Sequence, residues 1–283
     1  MPEYTMKRID KQVLPDAGYL LTAAEQRRLV GRDSLQGVAV YAEGACIGVL
    51  LFTVRGGTCQ IERVEIVPAW RRCGAGGRLL RALLSLAGRQ HWQVVVPFAA
   101  SGQRDKVYRW LAAQPGLAIA RQPGFVAQIH RDAIDKAATR IGRRTGDAVQ
   151  PLFAQPKKSI AALCDRIEAG FPAVAAELRQ GQSGFCEELS CCGKSGGQIK
   201  AVSLAAKDAD GLSLRLLFAE PGCGALAMGA LAGSMWQMLQ KTDEEQVSLT
   251  VTGKSAEQLL DKLCPSYEVT QHLYTAYAMG ENG

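Results

Sequence analysis

Val64-Glu65-Ile66-Val67-Pro68-Ala69-Trp70-Arg71-Arg72-Cys73-Gly74-Ala75-Gly76-Gly77-Arg78-Leu79-Leu80-Arg81-Ala82-Leu83-Leu84 is the stretch on which the fold turns. It opens as a strand, breaks at Pro68, passes through a glycine-rich turn and becomes a helix. The helix shows in Leu79, Leu80, Leu83, Leu84 and Ala87 on one face, with Arg78, Arg81, Ser85 and Arg89 largely off it. Strand, glycine turn and helix in this order suit a pyrophosphate. Glycines let the backbone come close, and free N–H groups at the helix start point at the anion. Arg71 and Arg72 add positive charge at the mouth. Two other glycine loops do not fit. A P-loop needs Gly-Lys-Ser/Thr where Gly77-Arg78-Leu79 stands, and a dinucleotide fingerprint built on Gly74 and Gly76 needs a small residue in place of Leu79.

Outward from this stretch, the front half alternates strands and helices. Upstream, residues 4–9, 37–41, 46–54 and 60–67 read as strands, and 16–30 as a helix carrying Leu20, Leu21 and Leu29. Glu43-Gly44 and Arg55-Gly56-Gly57 mark turns. Downstream, 92–98 reads as a buried strand, and a helix opens at Ser101 with Val107, Tyr108, Trp110 and Leu111. Runs 117–120 and 125–129 flank Gln122-Pro123-Gly124, a hairpin signal. Residues 131–158 are polar, without a strand pattern, and are assigned to the domain connection, helical around 134–141. The order then restarts. Helices at 159–167 and 171–179 precede strands at 186–191, 198–205 and 212–218. An apolar helix follows a glycine-rich turn at 222–239, then strand 246–252, helix 255–263 and strand 269–279. An offset of roughly 153 residues brings Pro68 onto Pro221 and repeats the element order. The predicted organisation is a domain at 1–135, a linker at 136–157 and a second domain at 158–283.

Composition agrees with two cored domains: 283 residues, 47% hydrophobic and 21% charged, at a prior of ~150 residues per domain. The chain shows no short apolar secretory stretch and no run of ~18 apolar residues, which predicts a soluble cytoplasmic protein. Nine scattered cysteines and three histidines lack zinc spacing, so no metal is expected. Residues 1–140 hold 20 Lys and Arg against 11 Asp and Glu, whereas 141–283 hold 13 against 16. A polyanionic ligand therefore belongs in front. The basic residues are dispersed and form no nucleic-acid signature, and a phosphate-bearing small molecule fits equally well.

The segment resembles the acetyl-CoA-dependent N-acetyltransferase family known as GNAT. That family carries Arg/Gln-x-x-Gly-x-Gly/Ala between its fourth strand and third helix, and Arg71, Gly74 and Gly76 match all three positions. The order of elements from about Tyr4 to Ile129 agrees as well. The resemblance implies an α/β (α+β) fold with two GNAT-like domains, each a mixed, mainly antiparallel sheet flanked by helices. It implies acetyl-CoA as acyl donor and a small-molecule or peptide amine as acceptor, attacked directly and without a metal. Main-chain groups around Ile66 and Val67 would hold the pantetheine arm, and Arg71, Arg72, Cys73, Gly74, Ala75, Gly76, Gly77 and Arg78 the pyrophosphate. The family's next helix is often written Asn-x-x-Ala-x-x-Phe-Tyr. Ser101, Arg104, Val107 and Tyr108 occupy those places, so Ser101 stands near the cofactor and Tyr108 becomes the proton donor to the departing thiolate. A base, often acting through water, would be Glu62 or Glu65, which strand alternation places on opposite faces. Each residue also has a plain structural reading. The glycines can form a tight turn, Tyr108 a core aromatic beside Trp110, and the carboxylates pairs with Arg63 and nearby arginines. Cys73 resembles a nucleophile at a helix N-terminus, but this family transfers acyl groups directly.

The second half resembles the same fold faintly. At the offset above, the signature positions fall on Gly224, Ala227 and Gly229, so the arginine and first glycine are lost. Ala225, Gly229 and Gly233 predict close packing of the following helix. The implied whole is a pseudo-dimer, monomeric or forming a homodimer, with one degenerate half and substrate contacts near the junction. Glu187-Glu188 and the pair Asp208 and Asp210 give that half acidic patches. The rival readings are a catalytically silent acyl-CoA sensor and a nucleic-acid module.

Overall fold

The front of the chain folds as successive hairpins because its turns place tolerant residues in left-handed backbone. The computed structural model describes residues 3–31, 35–145, 149–168, 171–180, 185–208, 211–241, 245–251 and 254–278. Tyr4–Arg8 (β1) pairs antiparallel with Leu35–Ala42 (β2), which returns through Glu43 (φ 52°) and Gly44 (φ 79°) into Ala45–Arg55 (β3). Gly56 (φ 53°) and Gly57 (φ 79°) turn β3 into Thr58–Ile66 (β4). Two successive left-handed residues match the twist of the flanking strands. The single helix expected over 16–30 is instead two pieces, Leu14–Ala17 (α1) and Ala23–Val30 (α2), with a 3-10 turn at Gly18–Leu20. Thr22 causes the break. It is extended, its hydroxyl accepts the Glu25 N–H, and the Glu25 carboxylate accepts the Thr22 N–H, so a fresh helix starts there.

After the glycine turn, Ala75–Arg89 (α3) lays Leu79, Leu80, Leu83 and Ala87 against Phe52, Ile61 and Val94 in one buried cluster. Gln93–Ala100 (β5) follows, then Lys106–Ala112 (α4) and Leu117–His130 (β6). Leu83→Ala is expected to cost ~2–5 kcal/mol, because the surrounding side chains close only partly on the cavity. A lower urea midpoint with unchanged slope is the measurement.

The hairpin expected at Gln122-Pro123-Gly124 does not form, and β6 runs straight through it. Beyond Gly124 (φ 121°), residues 125–130 pair with Gln246–Val251 (β11), Phe125 opposite Val251 and His130 opposite Gln246. A long-range ladder has overridden the local turn signal.

The chain divides into two compact units, Met1–Gln122 with Leu273–Gly283, and Pro123–His272. Both β6 and the last strand, Glu268–Ala278 (β12), therefore begin in one unit and end in the other. In the first unit the strand order is β1-β2-β3-β4-β5, then the end of β12, then the start of β6. Ala276 of β12 is fully buried in the core beneath α3.

The second unit repeats this plan. The stretch assigned to the linker holds most of Arg131–Thr145 (α5) and the strand Val149–Pro151 (β7). Lys157–Ile167 (α6) and Pro172–Gln180 (α7) precede Cys191–Ser195 (β8), Gln198–Asp208 (β9) and Gly211–Ala219 (β10). A strand was expected from residue 186, but 186–190 is a turn in which the Ser190 N–H and hydroxyl both donate to the Cys186 carbonyl. Gly224–Lys241 (α8), β11 and Lys254–Leu263 (α9) complete the unit. Its strand order is β7-β8-β9-β10-β11, the end of β6, then the start of β12. Met279 and Thr252, included in strands by the sequence reading, lie outside the described residues, as does Asp210. Among the described residues no helix is long and apolar enough to cross a membrane.

Candidate active site

The glycine turn between β4 and α3 leaves the start of a helix open. After Val67, residues Pro68–Trp70 make one 3-10 turn, Arg72 takes φ 65° and Gly74 φ 88°. Gly74 is the N-cap of α3 and offers no side chain to cap it. The N–H groups of the first turn therefore lack intrahelical partners and gather the positive end of the helix dipole. A helix start left open in this way is able to receive an anion. At Gly76 a Cβ would make ordinary van der Waals contact, 3.5 Å from the Trp110 ring and 3.7 Å from Ile66. At Gly77 a Cβ would meet Gln114 Oε1 at 3.3 Å.

The turn opens onto a cleft because β4 and β5 part early. They pair in parallel only where Thr58, Cys59 and Gln60 face Gln93, Val94 and Val95. Beyond that, a cavity of about 1180 Å³ lies between them, walled by Val64, Ile66, Val96, Phe98, Trp110 and the glycines of α3. The Val67 N–H donates to Ile47 O at 2.9 Å, toward β3. Backbone groups alternate along a strand, so the Ile66 N–H lies on the opposite, open edge. Of the two main-chain donors expected here, Val67 is already committed and Ile66 faces the cleft. Arg72, Arg81, Lys106 and Arg109 also line the cavity, with no ion pair among the described residues.

Glu62 and Glu65 were expected on opposite faces, and a β-bulge overturns this. Ile61 stands opposite Phe52 and Arg63 opposite Leu51, so Glu62 is an extra residue and the alternation resets. Both carboxylates consequently join one network with α2. Arg28 holds Glu62 through two contacts (2.9 and 3.3 Å), and Arg63 bridges Glu25 (2.8 Å) and Glu65 (3.5 Å). Arg71 donates to Glu65 Oε1 (3.0 Å) and to the Ile66 carbonyl (2.9 Å). These pairs are partly exposed and set positions more than they stabilise.

Helix α4 starts at Lys106, five positions after the expected opening at Ser101. Asp105 is its N-cap, accepting the Val107 N–H at 2.8 Å and the Ser101 hydroxyl at 3.2 Å. Burial alone would raise the Asp105 carboxyl, but these hydrogen bonds and the Ser101 N–H hold it below the ordinary aspartate value. Ser101 is thus engaged in capping and does not line the cavity. Tyr108 is half-buried, edge-on to Phe98 (6.1 Å) and to Tyr274 (5.2 Å), while Phe98 stacks on Tyr274 at 5.5 Å. Phe98 walls the cleft, whereas Tyr108 is not among the residues that line it. Cys73, the exposed one of nine free cysteines, directs Sγ to its neighbour's carbonyl, Arg71 O, at 3.7 Å.

Sequence reasoning missed Trp110, which shares a face of α4 with Val107 and Leu111, and Gln114, which lies just past the end of α4 and donates from Nε2 to the Trp110 carbonyl at 3.0 Å. It also missed Tyr274, which no local signal could connect to Phe98.

In the second unit the corresponding turn is shorter. Eight residues, 67–74, join β4 to α3, but only four, 220–223, join β10 to α8. Gly224, Ala227 and Gly229, aligned with the signature by a fixed offset, lie inside α8. The connection before α8 is thus four residues shorter than the one before α3. Glu220 at its start is bound to Lys200 (2.6 Å) and Arg166 (3.0 Å). Close packing of α8 is present as expected. A Cβ on Gly233 would touch Cys191 and Val149 at 3.3 Å, and one on Gly193 would stand 2.8 Å from Leu226 Cβ.

Residues 5–101 match the sequence profile of the acetyltransferase (GNAT) family. No curated protein sequence matches the chain. Among solved structures, a tandem GNAT protein from the clavulanic acid biosynthesis pathway superposes with TM-score 0.67 at 12% identity, over 99% of this chain and 100% of that one. A GNAT-family acetyltransferase from Colwellia psychrerythraea gives 0.58 at 12% identity, over 97% and 100%. A GCN5-related N-acetyltransferase from Sphaerobacter thermophilus gives 0.56 at 16% identity, over 97% and 94%. The whole chain thus has the tandem form of this fold.

Proposed function

We propose, for a GNAT-type acetyltransferase whose front unit carries the family's domain at residues 5–101, that one acetyl-CoA binds between β4 and β5 and its acetyl group passes directly to a primary amine. The observation that carries this reading is the uncapped start of α3, open at the mouth of a cleft rimmed by unpaired cations. The 71–77 turn takes the pyrophosphate, and the Ile66 N–H stabilises the carbonyl oxygen as charge builds on it. Most of the rate gain comes from holding thioester and amine together. The amine nitrogen forms a bond to the acetyl carbon, the C–S bond breaks, and the thiolate takes a proton, for which Tyr108 is the assigned donor. Glu62 or Glu65 accepts the amine proton through water. Arg71 leaves Glu65 when it turns to phosphate, which frees Oε1 of that carboxylate for the task while Oε2 stays beside Arg63. The second unit, with its shortened turn, binds no CoA. The acceptor is a small-molecule or peptide amine, and the protein works in the cytoplasm as a monomer or homodimer.

Isothermal titration with CoA and turnover across an amine panel test this reading together. One CoA per chain with turnover is expected, and Gly76→Val lowers CoA affinity at least about ten-fold by filling the approach beside Trp110. Two CoA per chain, or none, refutes it. Binding without any turnover makes the chain an acyl-CoA sensor, which the arginine-bound state of both carboxylates would then explain.

A further inference from the structure

Tyr4, the first residue of β1, braces the phosphate turn from the side. Its hydroxyl donates to the Cys73 carbonyl at 2.9 Å. Its ring meets Trp70 edge-on at 6.5 Å and carries the Arg78 guanidinium over its face at 4.8 Å. One side chain therefore touches the turn before, within and after its left-handed residues, Arg72 (φ 65°) and Gly74 (φ 88°). Arg72 is not glycine, so its conformation persists only where the surroundings hold it. The contact at Cys73 has a further consequence. The Cys73 carbonyl and the Gly74 N–H belong to one planar trans peptide and point in opposite directions. Fixing the carbonyl on Tyr4 turns the Gly74 N–H to the other side, and Gly74 itself lines the cavity.

We propose that Tyr4 is a positioning residue for the donor's pyrophosphate, holding the 71–77 turn in its anion-binding shape before the ligand arrives. This rests on the reading that the turn receives acyl-CoA. It assigns to β1 a part in donor recognition, although Tyr4 does not itself line the cleft and reaches its wall only through Trp70. Preorganised N–H groups bind an anion without the cost of ordering the loop.

Calorimetry with CoA and with pantetheine, which lacks the pyrophosphate, tests the proposal on the full-length wild type, Tyr4→Phe and Tyr4→Ala. Tyr4→Phe keeps the ring contacts and loses the hydrogen bond, so CoA should bind on the order of 3- to 10-fold more weakly. Tyr4→Ala loses the ring contacts as well and should weaken CoA by about 30-fold or more. Pantetheine affinity should not change in either variant, and Tyr4→Phe should melt with the wild type. Unchanged CoA affinity in Tyr4→Phe overturns the proposal. So does an equal loss for CoA and pantetheine, which would make Tyr4 a general support of the fold. If Tyr4→Ala fails to fold, the Phe variant alone decides. A wild type that does not bind CoA refutes the donor reading itself, and this inference falls with it.

Discussion

A chain ended at His272 should fail to fold its front unit, even though that unit is encoded mainly by the first 122 residues. The cut removes residues 273–283, which belong to the front unit. Their strand stands between β5 and β6, so its loss strips ladder partners from both. Ala276 leaves a hole under α3, and Tyr274 leaves Phe98 and Tyr108 without their common neighbour. Unsatisfied backbone groups and lost apolar burial together exceed the 5–15 kcal/mol of stability that is typical of a domain. The expected result is an aggregating or molten product, with near-ultraviolet dichroism and CoA binding both lost. A fragment of residues 1–135 should behave alike, because it lacks the same strand. Tyr274→Ala, which keeps the strand, should lower stability by only ~3–5 kcal/mol. A truncated chain that melts cooperatively and binds CoA as the wild type does would defeat the argument.

That exchange of strands is also what the sequence could least convey. Alternation and turn chemistry placed β1 to β5 and α3 well, since each rests on residues adjacent in the chain. Glu43-Gly44 and Gly56-Gly57 turn as expected because left-handed backbone is a local property. Gln122-Pro123-Gly124 carries an equally strong turn signal and yet lies within a strand, because the residues after it, 125–130, pair with β11. Nothing local distinguishes the two cases. The same limit applies at the site. The open helix start was legible from Arg71, Gly74 and Gly76, because the left-handed N-cap at Gly74 is a local property. The facing of Glu62 and Glu65 was not, because one bulge residue against β3 reverses every later side chain in β4. The erosion of the second unit was legible in kind but misplaced in detail. A fixed offset cannot reveal that the turn before α8 is four residues shorter than the turn before α3, whereas the start of α8 at Gly224 does.

Tyr108→Phe should lower kcat by about 100-fold while leaving CoA affinity near the wild-type value. The role assigned to Tyr108 is proton delivery to the CoA thiolate, and loss of a positioned acid typically costs ~100- to 10,000-fold. Thiolate is already a fair leaving group, which places the effect at the low end. The substitution is clean on structural grounds. The Tyr108 ring is held edge-on by Phe98 and Tyr274 at centroid distances of 6.1 and 5.2 Å, and phenylalanine preserves both contacts. Phe98 lines the cleft and Tyr108, edge-on to it, does not. Tyr274, packed on the same two rings, presents a second phenol in the cluster and is the natural control. Steady-state kinetics on Tyr108→Phe and Tyr274→Phe, with an acceptor found in the amine panel, separate the cases. A loss confined to Tyr108→Phe supports it as the donor, and a loss confined to Tyr274→Phe transfers the role to the C-terminal strand. If neither variant loses rate, all three rings serve packing, and water protonates the thiolate.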